Sequence, residues 1–177
     1  MEAFWDRGFE SISMEELTEA TGLSRSSIYA AYESKRGLFA AALNFYMDNR
    51  VDFMLGGLEG HDADLDTVLA FFEMFEDAAA EYPDRYALGC LLTNTMTELG
   101  HDDPAIRASG TAYLERLRSA FANAVRSASS GEEEAEERAA ILATVTLGSF
   151  VAARGSDPGI ISPLATASAL VGAWRVS

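Results

Sequence analysis

Hydrogen-bonding side chains are concentrated in one short segment near the N-terminus. Arg25, Ser26 and Ser27 follow one another, and Tyr29 comes about one helical turn after Arg25. At the start of a helix, small hydroxyls and a guanidinium can reach base edges in the major groove of DNA. A phenol on the same side can reach a phosphate. The segment therefore has side chains suited to recognition rather than to bond breaking.

A second polar group follows closely. Lys35, the only lysine of the chain, precedes Arg36 and follows Ser34. Serine commonly caps a helix, so both cations are predicted at a helix N-terminus, where they oppose the macrodipole by about 0.3–1 kcal/mol. Free amides and cations would cooperate if an anion docked there. Two solvated surface charges are the alternative.

The elements that hold these side chains are predicted to be short helices. Ser13 with Glu16 forms a capping box, Gly22 suits a left-handed C-cap, and Ser24 and Ser34 begin the next two helices. Apolar spacing predicts that the helices after Ser13 and after Ser24 pack across a tight turn through Leu17, Leu23 and Ile28.

The rest of the chain is also predicted to be helical, because Ala, Leu, Glu and Arg dominate and no strand alternation is sustained. We expect an all-α fold of about nine helices. The N-terminal head would comprise residues 1–45 and the body residues 46–177. Helices are predicted at about 3–9, 13–22, 24–31, 35–55, 66–81, 88–99, 104–127, 132–153 and 163–174, the last opening at Ser162-Pro163.

Taken together, the ordered residues of the head resemble the TetR family of transcriptional regulators. The resemblance covers about a fifth of the chain and is carried by Gly8-Phe9-Glu10-Ser11-Ile12-Ser13, Leu17, Ala20, Gly22-Leu23-Ser24, Ile28-Tyr29, Tyr32, Lys35 and Leu38-Phe39.

This resemblance implies a homodimeric DNA-binding regulator, by family default a repressor. Its partners would be a double-stranded DNA operator and a small-molecule inducer bound in the body. It also implies DNA-contact roles for Ser13, Arg25, Ser26, Ser27, Tyr29 and Lys35.

Three features depart from the family pattern. Phe4 already lies in the first helix, which leaves open whether an N-terminal piece is missing. Ala30 and Ala31 stand where many members have an aromatic residue and a histidine, and Glu15 puts a negative charge near the expected DNA backbone. Residues 1–50 carry five basic and eight acidic side chains, in a chain of net charge −15. We therefore expect modest, steeply salt-dependent DNA binding.

Aromatic and methionine residues of the body predict an apolar ligand pocket, although the same residue types fill ordinary cores. The residues expected to line it are Phe53, Phe71, Phe72, Phe75, Leu92, Met96 and Tyr113.

Cys90, the only cysteine, excludes an internal disulfide and is expected at the start of a helix. A thiol there can react as a thiolate. The segment Gly89-Cys90-Leu91, followed by Asn94, resembles the electrophile-sensing NemR-like branch of the family, in which a cysteine in this context is the sensor. Modification of Cys90 would then release DNA. A buried structural cysteine is the alternative.

The last two long helices carry small and apolar residues on more than one face, which requires burial on two sides. Pairing with a second copy in a four-helix interface would provide that burial. The residues expected at the interface are Leu147, Phe150, Val151, Leu170 and Trp174.

Other classes of protein find little support. The sequence has no glycine-rich phosphate loop, nucleophile elbow or zinc-helix motif, so we expect neither an enzyme nor a cofactor or metal site. The cluster at 61–66 is interpreted as a solvated acidic loop. No signal peptide or membrane span is recognisable, which favours a cytoplasmic protein. The alternative function is a helical dimeric module that binds a ligand or protein and has little affinity for DNA.

Overall fold

The computed structural model of the chain describes residues 1–155 and 163–175, in which all regular structure is helical. The elements are α1 (Glu2–Arg7), α2 (Met14–Thr21), α3 (Arg25–Tyr32), α4 (Lys35–Tyr46), the π-helical turn (Met47–Val51), α5 (Asp52–Leu55), α6 (Leu65–Glu81), α7 (Pro83–Tyr86), α8 (Leu91–Leu99), α9 (Pro104–Val125), α10 (Glu132–Gly155) and α11 (Pro163–Trp174). If α4, the π-helical turn and α5 count as one helix, and the single turn α7 belongs to α6, these residues form nine helices, as predicted.

The helix starts of the head follow the predicted caps. The hydroxyl of Ser13 accepts the backbone N–H of Glu16, and the Glu16 carboxylate accepts the backbone N–H of Ser13, which completes the capping box. Gly22 ends α2 with φ +67°, in the left-handed region. The side chains of Ser24 and Ser34 accept backbone N–H groups of the first turns of α3 and α4.

Two local predictions were wrong. Leu23 does not join the packing between α2 and α3, because its side chain is 45% exposed. The helix expected from Leu88 begins only at Leu91, since Gly89 has φ +67° and Cys90 is an extended N-cap residue. Ser162, where the last helix was expected to open, lies outside the described residues.

One hydrophobic cluster includes residues from both the predicted head and the predicted body. Phe4, Phe9 and Phe39 form an aromatic cluster in the head, with ring centres 4.9–6.4 Å apart. In the body, α9 packs along α10, and α11 packs on both α6 and α10. Phe72 and Phe121 are fully buried between these helices and stack with ring centres 6.0 Å apart.

None of the helices formed by residues 1–155 and 163–175 has the length and apolar character needed to cross a bilayer. In the same residues, the structure brings together no group of three or more His, Cys, Asp or Glu side chains suited to a metal ion.

Candidate functional site

Helix α3 turns one side to α2 and the other to solvent. Ile28 of α3 is fully buried where α3 packs against α2 and α4, and Leu17 of α2 is 1% exposed. On the solvent side, Arg25, Ser26 and Ser27 are exposed, and Tyr29 is 39% exposed. The structure thus presents four of the predicted DNA-contact residues on one accessible helix.

Short contacts organise these side chains in the absence of a ligand. The hydroxyl of Ser24 lies 2.8 Å from the hydroxyls of both Ser26 and Ser27. The Arg25 guanidinium carbon lies 5.6 Å from the ring centre of Tyr29, a cation–π contact of about 0.5–1 kcal/mol at an exposed site. Ser13 uses its oxygen as a cap acceptor, which leaves its hydroxyl hydrogen able to donate.

The two cations at the start of α4 both lie near the Phe9 ring but differ in their ion pairing. Arg36 forms an ion pair with Asp103, which precedes α9. The Lys35 ammonium lies 4.7 Å from the ring centre of Phe9 and has no ion-pair partner in residues 1–155 and 163–175. Lys35 is therefore the cation of this pair that remains available to an external anion.

Part of the acidic charge of the head is compensated internally. Hydrogen bonds from Ser13 hold the pKa of the Glu16 carboxyl below its usual range, and the neighbouring Arg7 lowers it further. Glu2 pairs with Arg85 at 2.8 Å. Glu15 is exposed on α2.

The body contains an apolar cavity of about 520 Å³ that opens beside the head. This volume falls within the usual range for small-molecule sites, roughly 300–1,000 Å³. Helix α1 contributes one wall residue, and the remainder come from α4, the π-helical turn, α5, α6, α7, α10 and the segment before α8. The lining residues are Trp5, Tyr46, Arg50, Phe53, Met54, Met74, Phe75, Ala78, Tyr82, Arg85, Tyr86, Gly89 and Phe150.

Of the seven residues predicted to line a pocket, Phe53 and Phe75 line this cavity. The structure places the others elsewhere: Met96 lies against Gly110 of α9, and four side chains are buried in the core, at most 5% exposed. These four are Phe71, Phe72, Leu92 and Tyr113.

Comparison with known proteins gives a family for the head. Residues 1–42 match the family described as "Bacterial regulatory proteins, tetR family". The repressor ComR of Escherichia coli K12 is 31% identical over 103 residues, which cover 58% of this chain and 48% of ComR. The repressor BdcR of the same strain is 29% identical over 110 residues, which cover 62% of this chain and 53% of BdcR. The chain thus matches about half the length of these two relatives.

Solved structures match over nearly the whole chain. A TetR regulator from Chloroflexus aurantiacus J-10-FL superposes with a TM-score of 0.77, covering 98% of this chain and 88% of that protein at 24% identity. The TetR-family regulator CifR, as a cysteine mutant complexed with 26-bp double-strand operator DNA, gives a TM-score of 0.67 at 28% identity, with coverages of 98% and 90%. Residues 1–42 thus match the TetR family, and the fold of the chain is similar to that of TetR-family regulators.

Cys90 is free and 1% exposed. Burial raises the pKa of the Tyr46 and Tyr113 phenols well above the usual value, and the adjacent Cys90 thiol raises them further. Cys90 does not itself line the cavity, whereas Tyr46 and Gly89 do. The thiol therefore lies directly behind the cavity wall, inside the core.

A carboxylate of α8 links the body of the protein to its head. The two oxygens of Glu98 accept the backbone N–H groups of Phe9 and Glu10, at 3.0 and 2.8 Å. These amides follow Gly8, which has φ +80° and ends α1. Glu98 thus fixes the turn that leads from α1 towards the recognition helices. No motif of the sequence marks Glu98 as a functional residue.

A second link joins α1 to α10 and to the segment before α8. The Arg154 guanidinium donates to the carbonyl oxygens of Trp5, Asp6 and Leu88, at 3.0–3.1 Å. The Trp5 indole N–H donates to the carbonyl of Gly89 at 3.2 Å. Trp5 and Gly89 also line the cavity, so the cavity wall and the head–body contact share residues.

The outer surface of α10 keeps apolar residues in solvent. Val151 is 57% exposed and Ile141 is 45% exposed, and a Cβ on Gly148 would meet open space. Of the other residues expected at an interface, Phe150 is buried against Phe75, whereas Leu147, Leu170 and Trp174 are half-buried.

Proposed function

We propose that the chain is a dimeric transcriptional repressor that binds a double-stranded DNA operator through α2 and α3. The proposal is supported above all by the exposed polar surface of α3 within the segment that matches the family. ComR and BdcR are named as repressors, and CifR was crystallised with operator DNA. Residues 1–45 would form the DNA-binding domain and residues 46–177 the ligand-binding and dimerisation domain. A cytoplasmic location is part of this proposal.

The DNA contacts divide into two roles. Arg25, with Ser26, Ser27 and Tyr29, reads the operator sequence from the start of α3. Lys35 anchors a phosphate at the N-terminus of α4, and the Ser13 hydroxyl donates to the backbone.

Fluorescence anisotropy with the DNA flanking the gene and with a scrambled duplex, at several salt concentrations, tests this division. Lys35→Ala should weaken binding to both duplexes and reduce the salt slope by about one. Arg25→Ala should also reduce the ratio between the two affinities. Arg118→Ala, an exposed change on α9, is the charge-matched control. Equal effects of Lys35→Ala and Arg25→Ala would show that the division is wrong.

Release of the operator follows occupation of the apolar cavity by a small-molecule inducer. The cavity shares Trp5 and Gly89 with the head–body contact, so a ligand that displaces either residue would change the position of α1 on the body. Ala78→Trp fills the cavity from α6 and should abolish release by an inducer without weakening operator binding. Unimpaired release by Ala78→Trp would exclude this site.

Modification of Cys90 is a second route to release, favoured by its position behind Gly89 at the start of α8. An electrophile would reach the thiol through the cavity wall, since Cys90 is only 1% exposed. Treatment with N-ethylmaleimide should release operator DNA from the unaltered chain but not from Cys90→Ser. Equal release from both proteins would eliminate the cysteine route.

Dimerisation would bury the exposed side of α10, which carries Val151, together with the half-buried Leu147, Leu170 and Trp174, over the buried Phe150. Val151→Glu should convert the dimer to a monomer in sedimentation velocity. Thr111→Glu, on an exposed face of α9, is the matched control. A dimer that survives Val151→Glu would place the interface elsewhere.

The net charge of −15 favours one alternative, a dimeric ligand- or protein-binding module with little affinity for DNA. The absence of any sequence-specific shift at low salt, with a dimer present and the cavity able to bind ligand, would favour that alternative over the repressor.

A further inference from the structure

The cavity wall is apolar and rich in rings. Phe75, Phe150 and Met74 form part of it, and the rings of Phe75 and Phe150 meet edge to face with centres 5.2 Å apart. Two lining aromatics are left in solvent: Phe53 is 77% exposed and Tyr82 is 61% exposed. A ligand with an apolar body would cover this surface, which gains roughly 25 cal/mol for each Å² removed from water.

Two arginines interrupt this wall. Arg50 lies in the π-helical turn, a local distortion that often occurs at functional sites. Within residues 1–155 and 163–175, Arg50 has no ion pair, although the chain carries 28 acidic and only 13 basic side chains. Arg85 also lines the cavity, where it stacks over the Trp5 ring at 5.6 Å and pairs with Glu2.

Among the described residues that line the cavity, none carries a carboxylate. Glu2 is engaged by Arg85, and Glu76 lies near the Tyr86 phenol, whose pKa is raised by burial first and by Glu76 second. A cationic ligand would therefore meet two guanidinium groups at the wall, and a neutral ligand would leave Arg50 without a partner.

We infer that the cavity binds a small organic anion: a molecule with an aromatic or other apolar body and one carboxylate or similar acidic group. This inference rests on the proposed role of the cavity as the inducer site. The apolar body lies against Phe75 and Phe150, and the acidic group binds Arg50 and Arg85. Guanidinium groups suit this partner because their planar fork matches a carboxylate.

The same geometry links ligand binding to the head. Arg85 holds Glu2 of α1, so a ligand anion competes with Glu2 for one guanidinium. Loss of the Glu2 contact removes one of the links that fix α1 on the body. In the inferred ligand class, the acidic group, and not only the size of the ligand, would change the position of the head on the body.

A matched pair of fluorescent probes tests the ligand class on the full chain. 8-Anilinonaphthalene-1-sulfonate is an anion, and N-phenyl-1-naphthylamine has the same rings without the charge. Arg50→Gln and Arg85→Gln should each weaken binding of the anion about three- to tenfold and change binding of the neutral probe less than twofold. Glu2→Gln should strengthen binding of the anion, because it frees Arg85. Arg118→Gln, which lies outside the cavity, is the charge-matched control.

Ala78→Trp should reduce binding of both probes, because it fills the cavity without altering its charge. Equal losses for both probes in the arginine variants would overturn the inference, and so would an effect of Arg118→Gln as large as theirs. Failure of both probes to bind would also overturn it. These titrations contain no DNA, so they can fail while operator binding succeeds, and the reverse.

Discussion

Glu98 is the side chain whose removal should most directly loosen the head from the body. Its carboxylate accepts two backbone N–H groups, from Phe9 at 3.0 Å and from Glu10 at 2.8 Å. A hydrogen bond to a charged group contributes about 1.5–3 kcal/mol when shielded, and a solvent-exposed charged contact contributes about 0.2–1 kcal/mol. Because Glu98 is exposed, we expect Glu98→Ala to lower the free energy of unfolding by about 1–2 kcal/mol.

The replacement Glu98→Gln separates charge from shape. Its amide oxygen can still accept one backbone N–H, but its NH₂ group faces the other donor, so at least half of the effect should remain. Urea unfolding followed by circular dichroism measures both variants, with Glu115→Ala on the exposed side of α9 as the matched control. In a chain of this size, 1 kcal/mol corresponds to about 2–4 °C in Tm.

The functional consequence differs from the stability effect. Helix α3 keeps its own contacts with α2 in Glu98→Ala, so the variant should bind operator DNA. Its sensitivity to an inducer should fall, since the proposed mechanism acts through the position of α1 on the body. Stability within 0.3 kcal/mol of Glu115→Ala, or an unchanged inducer response, would refute the assignment of Glu98 as a link.

Three further predictions concern stability. Gly89→Ala should destabilise the fold by more than about 2 kcal/mol, because φ is +67° and a Cβ would lie 2.6 Å from a carbonyl of α10, whereas Gly131→Ala in open space should be nearly neutral in urea unfolding. Burial favours the neutral Tyr113 phenol and raises its pKa, so the phenol contributes stability that is complete below about pH 10 and lost as pH rises through the folded pKa. Tyr113→Phe should therefore reduce the loss of stability at alkaline pH in pH-dependent unfolding. The Arg116 hydrogen bond lowers the Glu59 pKa, so this pair contributes stability that is present above about pH 4.5 and lost as pH falls through the folded pKa. Glu59→Gln should reduce the free energy of unfolding by roughly 0.5–1 kcal/mol at pH 7 and reduce its decrease at acid pH.

The helix boundaries of the head could be predicted because capping acts over three or four residues. Ser13 and Glu16 satisfy each other's backbone N–H groups, and Gly22 supplies a left-handed residue where a turn needs it. These signals lie within the sequence window that they control. Leu23 shows the limit of predicting packing from local spacing, because apolar spacing across a turn does not determine which side of the chain a residue faces. The Leu23 side chain is partly exposed to solvent.

Composition could predict an apolar body but not the wall of its cavity. Phe71 and Phe75 lie four residues apart on α6, and only Phe75 lines the cavity. Whether a ring faces a void or a neighbouring helix depends on the crossing of α6 with α9 and α10, which the sequence of α6 does not contain. The position of Arg50 in the cavity wall could not be predicted either, since this residue lies in the π-helical turn.

The hydrogen bonds between head and body join residues 83 to 149 positions apart, so no local pattern reports them. Their energies nevertheless bound what an inducer must do. A hundredfold loss of operator affinity needs about 2.7 kcal/mol of differential binding. Two or three of the hydrogen bonds made by Trp5, Glu98 and Arg154, at about 0.5–1.5 kcal/mol each, can supply that amount. Rearrangement of the wall at Gly89 would therefore be sufficient for release, and α3 could keep its own structure while its orientation towards the second half-site changes.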